Sequence, residues 1–143
     1  MNPRDFHRLA ARLMTDFSPA AARTAISQAY YASYNVAVET LTEMGFRVSR
    51  GPAGHGEVQN RLLSSGDTEV MRVGSQLADL HRRRIQADYR LDNVDVERLK
   101  TVRALIEQAG KMINILDACR TDPRRNHIIV SIQDWERKVS GQG

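Results

Sequence analysis

Residues 18–45, SPAAARTAISQAYYASYNVAVETLTEMG, decide the fold. Ser18 followed by Pro19 marks a helix start, because a serine oxygen accepts from an unpartnered amide of the first turn and proline has no amide to leave unpaired there. Gly45 ends the stretch at the position after a helix, where a positive φ is commonly required. In between, Ala22, Ile26, Ala29, Val36, Ala37, Leu41 and Met44 recur at helical spacing, and Tyr30, Tyr31 and Tyr34 widen the stripe. A long helix this apolar belongs in the middle of a bundle.

The flanking segments supply the other helices. Asn2 and Pro3 precede Phe6, Leu9, Ala10 and Leu13, a helix expected to end near Asp16. Residues 45–56, GFRVSRGPAGHG, have loop composition, and a short helix carrying Val58 and Leu62 follows. Asp67 caps a helix with Val70, Val73, Leu77 and Leu80 on one stripe, running to about Tyr89. Leu99, Val102, Ile106, Ala109, Ile113 and Leu116 mark another, to about Cys119. Pro123 breaks the pattern, and the tail RRNHIIVSIQDWERKVSGQG reads as either strand or helix in its first half. The expectation is an all-α, antiparallel up-and-down bundle of four to five helices over residues 1–119, with a separate C-terminal tail over 120–143.

Composition agrees with a single helical domain. The chain has 143 residues, 41% of them hydrophobic and 27% charged, with only 6% aromatic, so aliphatic side chains must build the core. No window is apolar enough to span a bilayer, the first residues are charged where a signal peptide needs an apolar run, and Cys119 is the single cysteine. A cytoplasmic location is therefore expected. Of 21 basic residues only Lys100, Lys111 and Lys138 are lysines, and the net charge of +4 suits an anionic partner. No phosphate-loop or dinucleotide fingerprint accompanies the loop glycines, so no cofactor is expected. His7, His55, His81 and His127 lack the spacing of metal ligands, and no metal is expected.

Continuing the stripe through 70, 73, 77 and 80 brings Arg84 onto the buried face, where a guanidinium needs a partner; Asp88 lies at i+4, with Tyr89 beside it. On the central helix Arg23, Ser27, Tyr30 and Tyr34 share one face. These rows predict a polar pocket between two helices, either a ligand site or simply an ion pair and hydroxyls satisfied inside a bundle. Arg82, Arg83, Arg84 and Arg90 with Arg47 and Arg50 form the densest cationic region. Since Arg83 has Asp79 four residues back, Arg47, Arg50, Arg82 and Arg90 are the expected nucleic-acid contacts.

The segments RTAISQAYYASYNVAVETL (23–41), HGEV (55–58) and RRRIQADY (82–89) together resemble the small stand-alone HEPN domain proteins of bacteria and archaea, over about residues 5–119. The resemblance implies a helical bundle, commonly a homodimer whose grooves meet, linked to RNA or nucleotide binding, to metal-independent RNA cleavage and to toxin–antitoxin or defence operons. A minimal nucleotidyltransferase is the frequent partner protein, and a non-catalytic interaction module for it is the alternative reading. Catalytic members carry an arginine followed after four to six residues by a histidine at the end of the penultimate bundle helix. Here Arg84 is followed by Asp88 and Tyr89, with no histidine. The literal spacing recurs as Arg50 with His55 and as Arg120 with His127, coincidences that the abundance of arginine makes expected. With a hairpin at Gly66, His55 lies 11 residues before the turn and Arg84 18 after it, an offset of roughly 10 Å at about 1.5 Å per residue. That estimate places His55 out of reach of Arg84 and predicts binding without cleavage.

Overall fold

The computed structural model describes residues 1–141, which form six α-helices and one short 3-10 helix: α1 (Arg4–Leu13), α2 (Pro19–Glu43), α3 (Ala53–Leu63), α4 (Thr68–Tyr89), the 3-10 turn Val94–Glu97, α5 (Leu99–Ala118) and α6 (Arg124–Val139). The architecture is an all-α bundle, with six α-helices where four or five are expected from the sequence. Ser18 accepts from the Ala21 amide and Asp67 from the Val70 amide, so the caps that start α2 and α4 are those the sequence announces. Gly45 closes α2 at a φ of 96°.

Helix α2 is the axis, with α1, α4 and α5 packed around it and α3 laid along α4. Its Ala22, Ala25, Ile26, Ala29, Ala32, Val36 and Ala37 are fully buried, and small residues on so many sides let several helices approach closely. Leu77 and Leu80 of α4 and Val102, Met112 and Leu116 of α5 complete one aliphatic core.

Two segments differ from expectation. Helix α3 begins at Ala53, inside the glycine-rich stretch assigned to loop, because Pro52 supplies helical φ and carries no amide to satisfy. The segment after Pro123, which admits strand or helix, is α6. Ile128 and Ile132 of α6 are buried, and Ser131 donates to the Ser64 carbonyl. Arg124 pairs with Asp67 and Glu69, and Glu136 pairs with Arg61. The tail is thus packed against the α3–α4 end of the bundle. No described helix is long and apolar enough to cross a membrane.

Candidate functional site

Three helices bring their polar side chains together. Tyr30, Tyr31 and Tyr34 come from α2, His55 from the first turn of α3, and His81, Arg84 and Asp88 from α4. The approach of α3 depends on Gly54: a Cβ there would stand 2.5 Å from the Tyr34 hydroxyl and closer still to the Ser49 carbonyl. A glycine before His55 therefore lets the imidazole enter the tyrosine cluster.

Tyr30 is fully buried, and its hydroxyl is hydrogen-bonded to His55 Nδ1. Burial, reinforced by neighbouring Tyr34, raises its pKa well above the usual phenol range, so the proton stays on oxygen. The acceptor in reach is Nδ1, which leaves neutral His55 with its proton on Nε2. The His55 ring stacks on His81 at 4.6 Å between centroids and 10° between planes. Tyr34 lies 4.5 Å from the His55 ring, Tyr30 5.0 Å from the His81 ring, and Tyr30 and Tyr34 5.8 Å from each other, so the four rings close into one cluster. Burial depresses both histidine pKa values. The positive charge of Arg84 adds to this at His55, whereas at His81 the neighbouring His55 contributes before Arg84 does. Both imidazoles are held in their neutral forms.

Arg84 sits over the Tyr31 ring at 5.2 Å and donates from Nη2 to the Tyr31 hydroxyl at 2.8 Å. Its Nε lies 2.9 Å from Asp88 Oδ2, with the two side chains 17% and 27% exposed. That N–H is not directed at the carboxylate and finds no hydrogen-bond partner, so the pair is a charge contact that leaves a buried donor unused. Ser27 donates to the same carboxylate at 3.3 Å.

The charge of Arg84 acts on both imidazoles across the offset that helix rise predicts. Helical side chains lean toward the helix N-terminus, so in an antiparallel pair His55 leans away from the Gly66 turn and Arg84 leans back toward it, which narrows that offset. His81, one helical turn before Arg84, is the residue that sequence reasoning missed. Its signal was available: three positions before Arg84 it shares the same face of α4 and lies three residues nearer the turn.

Other expected members fall elsewhere. Arg23 does not enter the cluster. It pairs with Glu97 at 2.7 Å and donates to the carbonyls of Gln86, Ala87, Arg90, Leu91 and Asn93, clamping the end of α4. Tyr89 is 69% exposed and stands outside the pocket. The cationic region divides in two. Arg47 and Arg50 lie exposed on the α2–α3 loop, and Arg50 lines a cleft with His55. Arg82 and Arg90 border a separate hollow with Ile85 and Gln86. It is Arg82, not Arg83, that takes Asp79, at 2.7 Å, because i−3 brings the two within reach on this helix. Arg120 is tied to Glu39 and Thr40, while His127 meets the Gly66 carbonyl, so their spacing builds no site. Cys119 is buried, which raises its thiol pKa. Among the described residues no three metal-ligating side chains converge.

Comparison of the chain with protein-family models, with curated proteins and with solved structures gives no match.

Proposed function

We propose that this chain is a HEPN-type helical bundle that binds the phosphate of RNA or of a nucleotide where α2, α3 and α4 meet, in a toxin–antitoxin or defence setting. The observation that supports this reading is the placement of two neutral imidazoles, His55 and His81, beside the Arg84 guanidinium. Arginine matches a phosphate through paired donors, and the Arg84 side chain keeps 17% of its surface exposed. His55 presents an Nε2–H to the same oxygens. Asp88 offsets the charge of Arg84, so long-range attraction of the anion falls to Arg47 and Arg50, which make no ion pair among the described residues.

The same set answers the missing histidine of the helix end. His81, neutral and outside any hydrogen bond among the described residues, takes the proton from a 2′-hydroxyl as its oxygen bonds to phosphorus, and the proton returns to the 5′-oxygen as that bond breaks. Arg84 steadies the added negative charge. The test is RNA binding and cleavage in the presence of a chelator. Salt-sensitive binding with chelator-resistant cleavage, the cleavage lost in His81→Ala and Arg84→Ala, is the expected result; salt-insensitive or absent binding overturns the reading.

A second reading rests on a different face. Tyr89, Leu91 and Val94 are 69, 75 and 59% exposed around Arg82 and Arg90, a surface suited to a protein contact. We infer that it serves homodimerisation or the docking of a nucleotidyltransferase. Light scattering is expected to give twice the 16.1 kDa chain mass, and a Leu91→Glu variant is expected to restore the monomer.

A further inference from the structure

The aromatic cluster borders an open cleft. Tyr31, Tyr34 and His55 form one end of an open cleft of about 520 Å³ that continues along α2 past Val38, with Val48 and Arg50 of the α2–α3 loop as its other wall. Its floor is the side of α2 on which residues 31, 34, 35, 38 and 42 lie at helical spacing. Tyr31 and His55 belong both to this cleft and to the polar site: Tyr31 accepts from Arg84, and His55 stacks on His81. Cleft and polar site therefore share two side chains.

We propose that the cleft holds one unstacked nucleobase of the bound RNA or nucleotide, resting on this proposed phosphate site. Three features on the walls fit a flat heteroaromatic ring. Tyr34 and His55 offer aromatic surface, their rings 4.5 Å apart at the centroids and tilted by 31°, against which a further ring packs. Val38 and Val48 are partly buried apolar walls. Arg50 stands at the edge as an exposed guanidinium outside any ion pair among the described residues, placed for a flanking phosphate or for stacking on the base. A base inside a duplex cannot enter such a cleft, because its faces are occupied by its neighbours, so the site selects single strands and free nucleotides over paired RNA.

The experiment compares wild-type binding of a single-stranded RNA trimer with that of an abasic trimer carrying the same phosphates, and of AMP with inorganic phosphate. The intact trimer is expected to bind about tenfold more tightly than the abasic one, the stacking of one base on aromatic side chains. Tyr34→Leu is expected to narrow that ratio below about threefold, the ratio cancelling any common effect on the phosphate contacts through His55. A measurable preference for AMP over phosphate identifies the free nucleotide as a ligand too, and its absence confines the site to RNA. Equal affinities for intact and abasic trimers, with Arg84-dependent binding of both, overturn the base site and leave the phosphate site standing. Binding of neither trimer overturns both.

Discussion

His55 and His81 lie face to face, 4.6 Å between ring centroids and 10° from parallel, although one comes from the first turn of α3 and the other from the middle of α4. Two imidazoles at this separation, beside Arg84, cannot both accept protons without repulsion. Burial lowers both pKa values, so the unfolded chain binds more protons than the folded one as pH falls through about 6.5. The pair therefore supports the fold fully above that pH, and stability declines below it toward the folded-state values. Thermal melts are expected to lose midpoint temperature between about pH 7 and pH 5, and a His81→Phe variant, which keeps a stacked ring without a titrating group, to lose less.

Arg23 is a structural clamp, and its removal has a large, local cost. The guanidinium satisfies one carboxylate and five carbonyls at the end of α4 while its side chain is only 11% exposed. Arg23→Met is expected to lower unfolding free energy by about 3–5 kcal/mol in urea titrations, with RNA affinity per folded molecule unchanged. A variant that folds normally but loses binding would instead place Arg23 in the site.

The two glycines flanking His55 make a matched pair. At Gly54 a Cβ meets Ser49 and Tyr34, whereas at Gly56 it meets nothing within 4 Å. Gly54→Ala is expected to destabilise by about 1–3 kcal/mol and to weaken RNA binding, because α3 must retreat and carry His55 with it. Gly56→Ala is expected to stabilise by about 0.5–1 kcal/mol through helix propensity alone, leaving binding unchanged.

Asp88 restrains the site electrostatically. Removing its charge frees Arg84 for an anion, so Asp88→Asn is expected to tighten RNA binding about fivefold, the effect of ~1 kcal/mol. The cost in stability is expected to stay near ~1 kcal/mol, since the carboxylate is more than a quarter exposed. Arg50→Ala is expected to reduce the slope of log affinity against log salt by about 0.7, the loss of one phosphate contact to a single strand. Fluorescence anisotropy at several salt concentrations measures both effects.

The helices were legible in the chain because what makes them is local. Ser18 and Asp67 satisfy amides a few residues away, Gly45 supplies a positive φ, and the apolar stripes of α2, α4 and α5 repeat within each helix. The closeness of Arg84 to Asp88 was legible for the same reason, being an i+4 relation on one helix. What only the tertiary structure decided is which side chains of different helices meet. Gly54 admits α3 against Tyr34, Pro52 starts that helix earlier than glycine content suggests, and the opposed lean of His55 and Arg84 narrows an offset that helix rise alone leaves open. Arg23 leaves the tyrosine face to cap α4 because five carbonyls at and just beyond the helix end, together with Glu97, outcompete any pocket for its donors. Spacing within a helix is set by its own backbone; contact between helices is set by packing depth and side-chain reach, and these depend on every element at once.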